Sequence, residues 1–348
     1  MALAGLPLLP GAGLLAEGIP DKEIAPFRTS YKLGKLVLAA STDTDAFDSK
    51  FVDDPFVFFH DGAFHMLYTG FDGTGYQTGM AKSTDLLNWS REGCVVPRDP
   101  SSKYTRYSVA LTCILREDGL TSHGELKKIQ GRYLGAWNAY PNAGYEEGAA
   151  VIGLAWSDDL LHWQLSEPIL LPQDGAPWEH GGLGRPNLVE EGGTYYLFYS
   201  AKSDLLPNGP NGGWREQTGV AVSRDLKKWM RYDANPILRN REPGSWDEHF
   251  ASDPFVVRDK KQWAIYYSGS DAHGRARQLL ALGSDPYHFT KVNEIILDAG
   301  APGSVDETTA QNPCVIFYQG SLYHFYGAGS GRWPHEVRGI SVARSSPW

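Results

Sequence analysis

Two aspartates in this chain stand directly before a proline that opens an apolar run. They are Asp54 in Asp53-Asp54-Pro55-Phe56-Val57 and Asp253 in Ser252-Asp253-Pro254-Phe255-Val256. Two further runs begin the same way, with Arg185 before Pro186 and Asn312 before Pro313. Carboxylates can move protons, and a guanidinium or an amide beside them can grip hydroxyl groups in pairs. Further polar and aromatic residues fall in loops that the same pattern brings near: Asp72, Arg106, Trp137, the loop Trp214–Gln217, Asp271, His273 and Trp333. Polar pairs for hydroxyls and flat rings for sugar C–H faces are what a carbohydrate site needs.

The elements that must position these residues form a repeat. Four times an acid is followed seven positions later by the proline: Asp48 and Pro55, Glu179 and Pro186, Asp247 and Pro254, Asp306 and Pro313. Each proline-led run is followed by an aromatic strand, as in Phe64–Tyr68, Tyr195–Tyr199, Trp263–Tyr267 and Leu322–Tyr326. A Gly-rich loop and a third strand come next, and three units then end in Leu-x-x-Trp at Trp89, Trp163 and Trp229. A short fourth strand closes each unit, at Cys94–Val96, Ile169–Leu171, Pro236–Leu238 and Ile295–Leu297. Such self-similarity at a period of about 60 to 75 residues marks an array of one supersecondary unit.

Four short strands per unit, punctuated by Gly, Asp and Pro, describe a propeller blade. The fold expected is all-β, a five-bladed β-propeller of four-stranded antiparallel blades. The second unit lacks the proline, and its first two strands fall at Val109–Ile114 and Gly131–Trp137. The last unit has three strands of its own, so Leu36-Val37-Leu38 from the N-terminus is expected to close it and hide its open edge. The domain reading is an N-terminal extension, 1–34, before a catalytic propeller, 35–348. In blades of this kind the starts of the first strands, the loops before them and the loops between second and third strands crowd one rim of a central funnel, the default place for a ligand.

Position within the repeat separates scaffold from chemistry. Asp48, Glu179, Asp247 and Asp306 recur, which suits loop clamps accepting backbone N–H bonds; Asp85, Asp159 and Asp225 recur before Leu and suit turn caps. The recurring tryptophans suit core wedges. Asp54 and Asp253 break the pattern set by Arg185 and Asn312, and chemistry is expected there. Arg185 is either a substrate contact or an ion-pair partner of a catalytic acid.

Composition narrows the partners. The 348 residues are 42% hydrophobic and 12% aromatic, enough for a full core, and the net charge of −9 argues against nucleic acid or an anionic membrane. Cys94, Cys113 and Cys314 fall in strands of different units and are expected to be buried free thiols. No zinc spacing is present, and no cofactor or metal is expected. Residues 1–10 are apolar but lack a basic start and are broken by Pro and Gly, a poor signal peptide. A cytoplasmic location is expected, with the extension lying on the propeller or across a partner subunit of a homo-oligomer.

The Asp53-Asp54-Pro55-Phe56-Val57 run, the Phe64–Gly70 strand and the Ala-x-Ser-x-Asp-Leu-x-x-Trp endings resemble the five-bladed propeller glycoside hydrolases of families 43, 32 and 130. The resemblance spans residues 36 to 348. It implies that Asp54 is the base or nucleophile and Asp253 a second essential acid. The family's third residue, a Glu close before an inner strand, falls to Glu179 or Glu248. Asp53, Asp72, Arg106, Trp137, Arg185, Asp271, His273, Asn312 and Trp333 are the expected substrate contacts. Glycoside cleavage needs one carboxylic acid to protonate the leaving oxygen and one carboxylate as base or nucleophile. The function expected is hydrolysis of a small oligosaccharide, furanosides included. The alternatives are a phosphorylase or transglycosidase, with an anion pocket from Arg185, Arg106 and Lys202, and a non-catalytic carbohydrate-binding propeller.

Overall fold

The computed structural model describes residues 19–203, 213–331 and 335–348. A short helix, α1 (Asp21–Ile24), precedes β1 (Tyr31–Leu38). Antiparallel units follow, of four strands each except the second, which has five. The first holds β2 (Phe51–His60), β3 (Ala63–Phe71), β4 (Tyr76–Ser83) and β5 (Ser90–Val96). The second holds β6 (Ala110–Ile114), the two-residue β7 (Lys128–Ile129), β8 (Arg132–Ala139), β9 (Val151–Ser157) and β10 (Trp163–Leu170). The third comprises β11 (Gly182–Glu191), β12 (Thr194–Lys202), β13 (Glu216–Ser223) and β14 (Met230–Arg231). The fourth comprises β15 (Phe250–Asp259), β16 (Gln262–Ser270), β17 (Ala276–Gly283) and β18 (Phe289–Lys291). The last unit has β19 (Thr309–Tyr318), β20 (Ser321–Ser330) and β21 (Val337–Arg344), with β1 paired antiparallel to β21 as its fourth strand. The first strands touch in the order β2, β6, β11, β15, β19, and β19 touches β2.

Local sequence explains the hairpins. Asp61-Gly62, Gln130-Gly131, Gly192-Gly193 and Gln319-Gly320 all have positive φ at both residues, the mirror-image turn whose twist suits a two-residue hairpin. The Asp-Leu-x-x-Trp ending is a second recurrent device. Asp85 accepts the N–H groups of Leu87 and Asn88, Leu86 takes a left-handed conformation, and the Trp89 indole donates to the Leu86 carbonyl. Asp159 and Asp225 repeat the turn.

The repeated acids are clamps, but their partners are side chains as well as backbone. Asp48 accepts from the Tyr68 hydroxyl (3.1 Å) and Arg91 Nε (2.8 Å). Glu179 accepts from Tyr199 and lies 2.9 Å from Arg231 Nε. Asp247 pairs with Tyr267 and Lys291, and Asp306 with Tyr326 (2.9 Å) and Lys32 (2.6 Å). In each of these four units the tyrosine comes from the second strand and the cation from the fourth. Lys32 lies on β1, so the N-terminal strand supplies both the hydrogen-bonded edge and the cation that the last unit lacks.

Two expectations are corrected. The fourth strands of the third and fourth units are broken: β14 and β18 pair first, and only Leu238 and Leu297 of the expected strands bridge, to Thr218 and Gln278. Pro236 has no N–H to give a ladder. Cys94 is exposed; Cys113 and Cys314 are buried free thiols. The described part of the extension lies against the chain's own strands: Phe27 is fully buried against Tyr266, and Thr29 Oγ1 lies 2.8 Å from His324 Nδ1. Among the described residues no helix is long and apolar enough to cross a membrane.

One connection ties the units together at the channel end remote from the first-strand starts. Between β6 and β8 the backbone of 118–124 bonds to Phe59, Arg258 and Phe317, which lie on β2, β15 and β19. The buried Arg116 guanidinium donates to the carbonyls of Val57 and Val315 and packs over the Phe56 and Phe255 rings.

Candidate active site

The site is built from the starts of the first strands. Asp54, Arg185, Asp253 and Asn312 all have left-handed backbone, with φ of 54°, 49°, 54° and 56°. A residue before proline avoids the helical regions, and a strained position costs of order 1–3 kcal/mol. Each sits at a break in strand register that holds it there: Asp53/Phe56, Gly184/Asn187, Ser252/Phe255 and Gln311/Cys314. A bulge of this kind re-aims a side chain, and these four line the central channel together. Side chains satisfy the displaced N–H groups. Asp253 N–H donates to Ser200 Oγ (2.7 Å), Asn312 N–H to Ser268 Oγ (2.9 Å), Arg185 N–H to Asn138 Oδ1 (3.3 Å) and Asp54 N–H to Asp53 Oδ1 (3.0 Å).

Arg185 is the hub. Its guanidinium pairs with Asp54, and stands 3.6 Å from Asp253 Oδ1 and 3.6 Å from Glu146 Oε1. Asp54 also accepts from Thr69 Oγ1 at 2.7 Å. Of the two roles the sequence left open for Arg185, the ion pair is the one formed here. Asp53 lies behind, bound by Asn312 Nδ2 (2.7 Å) and Arg338 Nη1 (2.9 Å), with Arg338 also donating to the Tyr145 hydroxyl and to Glu336.

Above Arg185 opens a cavity of about 100 Å³. Three carboxylates line it: Asp253, Glu146 and Glu216. Glu146 is gripped by Lys202 Nζ, and its Oε1 accepts from the Tyr76 hydroxyl at 3.2 Å. Glu216 accepts the Trp214 indole N–H at 3.1 Å and stands 3.8 Å from Lys202. Burial pushes the Glu216 carboxyl above its usual range; Lys202 opposes this, and the negative charges of Asp253 and Glu146 add to it. Burial likewise raises Asp253 against the pull of Arg185. The cavity therefore joins carboxyls biased toward the protonated form to one held by cations, the pairing that acid–base cleavage of an acetal requires.

The sequence named Asp54, Asp253, Arg185, Asn312 and Asp53, and the structure brings these five together. It does not bring Glu179 or Glu248 to the cavity. Glu179 is 1% exposed and is consumed by the Tyr199–Arg231 clamp. Glu248 accepts the backbone N–H groups of Gly244 (2.8 Å) and Ala272 (2.7 Å), which hold it below the usual carboxylate range, wrong for a proton donor. Asp72 and Asp271 are also loop clamps, the first on Arg98, the second on Arg277 and the N–H groups of His273 and Arg275. Arg106 is exposed over Tyr107, His273 is exposed at a loop tip, and Trp137 is buried core with its indole on the Leu154 carbonyl. Trp333 lies outside the described residues. Glu146 and Glu216 were not picked out. Glu216 was legible only as part of the Trp214–Gln217 rim loop, and Glu146 only as an acid outside the repeat.

Comparison with known proteins adds to this geometry. Residues 125–301 match the family described as glycosyl hydrolases family 32 N-terminal domain. The 1,2-beta-oligomannan phosphorylase of Thermoanaerobacter sp. (strain X514) is 26% identical over 249 residues, 69% of this chain and 71% of that protein. A solved structure described as a glycoside hydrolase superposes with a TM-score of 0.78 at 23% identity, covering 95% of this chain and 96% of its own. The beta-1,2-mannobiose phosphorylase from Listeria innocua, in complex with beta-1,2-mannobiose, superposes with a TM-score of 0.64 at 15% identity, covering 90% and 96%. These likenesses establish a shared fold.

Proposed function

This chain belongs to the family of the glycosyl hydrolases family 32 N-terminal domain, and from that premise we propose that it is a carbohydrate-active enzyme that hydrolyses the glycosidic bonds of a small oligosaccharide at the mouth of a five-bladed β-propeller. The five antiparallel units, the return of β19 to β2 and the closure of the last unit by β1 support the propeller reading. Residues 35–348 are taken as the catalytic domain and 1–34 as its extension.

The observation that carries hydrolysis is the charge around the cavity. Asp253, Glu146 and Glu216 line it; its described cations are Arg185 and Lys202, and both are already paired with carboxylates. Glu216 is assigned as proton donor to the leaving oxygen, the role sequence gave to Glu179 or Glu248. Glu146 is the facing carboxylate, either taking a proton from water or attacking the anomeric carbon. Asp253 is the third carboxylate, whose negative charge keeps the proton on Glu216. Asp54 is essential in this reading, but as the anchor of Arg185: it lies in the channel below the guanidinium and does not line the cavity.

The test uses purified protein with beta-1,2-mannobiose, aryl mannosides and aryl arabinofuranosides, with and without inorganic phosphate. Free reducing sugar at a rate independent of phosphate is expected. Phosphorolysis is the second reading, favoured by the oligomannan phosphorylase relative, and a glycosyl 1-phosphate formed only with phosphate would establish it. Against it, a phosphate dianion would enter beside three carboxylates without a free cation among the described lining residues. Glu216→Gln is expected to lose cleavage of oligosaccharides while retaining that of aryl glycosides with strongly acidic leaving groups, since those need no proton. An unchanged rate on both would remove Glu216 from the mechanism.

A further inference from the structure

The Lys202 ammonium lies between two aromatic rings and two carboxylates. It lies 5.3 Å from the centre of the Tyr140 ring and 5.2 Å from that of Trp214, two contacts that hold a cation in place. It binds Glu146 Oε2 directly and stands 3.8 Å from Glu216 Oε1. Lys202 ends β12 and Glu216 opens β13, and the two are register partners, so the ladder itself fixes their separation. Glu146 reaches the same point from the loop between β8 and β9.

We propose that Lys202 is a positioning residue that dictates which of two facing carboxylates, Glu146 or Glu216, carries the proton. This rests on the reading of the site as a glycosidase. The contacts are unequal in a way that decides the matter. Glu146 receives the ammonium at one oxygen and the Tyr76 hydroxyl at the other, with Arg185 Nη2 at 3.6 Å. Among the described residues, Glu216 receives the Trp214 indole and the more distant ammonium, both at Oε1. A proton on Glu216 therefore belongs on Oε2, which no donor among the described residues occupies, and Oε2 is the atom that would deliver it. The charged groups facing Glu216 are Lys202, Asp253 and Glu146; those facing Lys202 are Glu146, Glu216 and Arg185. Without the ammonium, Glu146 and Glu216 would face one another with no described cation between them. The proton would then be held to higher pH and no longer assigned to one of them.

The Trp214 indole N–H is bonded to Glu216 and reports that carboxyl without any substrate. In protein labelled with ¹⁵N-tryptophan, its resonance is assigned by Trp214→Phe and followed from about pH 4 to 9. Lys202→Met, and Lys202→Gln as a second variant, are expected to move its inflection upward by about one pH unit or more. Lys202→Cys alkylated with 2-bromoethylamine, which restores a cationic chain, is expected to return it, with wild type treated alike as the control for Cys94. An inflection that stays put in the folded variants, or that fails to return on aminoethylation, would overturn the proposal. Because the readout needs no turnover, it stands apart from the hydrolysis test: an enzyme that requires phosphate would leave the indole result untouched.

Discussion

Asp54 and Arg185 occupy the same position in two different repeat units, each in left-handed backbone before a proline, and they meet as an ion pair across the channel. The repeat supplies identical backbone geometry at both places, so opposite charges written at equivalent positions are aimed at one another. Asp253 and Asn312 stand at the remaining equivalents, and the four side chains converge on the channel.

The first prediction concerns that pair. Asp54→Asn keeps the size of the side chain and the Thr69 bond but removes the charge that holds Arg185. The guanidinium then drifts toward Asp253 and Glu146. A displacement of about 1 Å at a catalytic group costs about 10²-fold, and a fall of that order in kcat/KM is expected with the melting temperature little changed. Steady-state kinetics beside calorimetry check it, and an unaltered kcat/KM would show that Asp54 neither reacts nor positions.

A second prediction separates scaffold from site. Glu179→Gln leaves the half-buried Arg231 beside Tyr199 without its buried counter-charge. Breaking a buried pair on one side costs about 3–5 kcal/mol, so a marked loss of stability in urea unfolding is expected. Activity per folded molecule should remain. If activity is abolished while stability holds, Glu179 belongs to the reaction after all.

The spacing of acid and proline located the funnel rim, and it did so because a repeat constrains which loops share a face. Asp54 and Asp253 were legible as exceptions to the repeat. The partners of Glu179 and Glu248 were not legible because they are distant or are backbone: Arg231 lies 52 residues from Glu179, and Glu248 is held by two peptide N–H groups. Trp137 was taken for a sugar platform, yet its indole is spent on a carbonyl inside the second unit. Glu146 and Glu216 carry no spacing signal at all. They meet only because the ladder between β12 and β13 and the loop after β8 deliver them to the same ammonium.

A third prediction follows from His324, which is fully buried and whose pKa is lowered by burial to about 3 from 6.5. Below pH 6.5 the unfolded chain takes up a proton that the folded protein refuses. Stability therefore falls as pH drops between these two values, by up to about 1.4 kcal/mol per pH unit from this residue. His324→Gln, which can still bond Thr29, is expected to flatten that slope in unfolding measured at successive pH values. A slope equal to wild type would assign the acid sensitivity elsewhere.

The last prediction runs in the opposite direction on the pH scale. The Glu216 carboxyl is raised above 4.5, chiefly by burial, so between 4.5 and its folded value the native protein holds a proton that the unfolded chain has released. The slope of unfolding free energy with pH is then negative, and stability falls as pH rises through this window. Glu216→Gln cannot ionise and escapes the penalty. It is therefore expected to equal wild type near pH 4 and to melt higher than wild type at pH 7 to 8, with cleavage of unactivated oligosaccharides lost. A site built for proton donation bears such a cost because the burial that keeps the acid protonated also opposes the charge it must carry after each transfer. Melting curves at the two pH values decide it: a variant less stable than wild type at neutral pH would mean that Lys202 outweighs burial, and that Glu216 is a structural ion-pair partner rather than the acid.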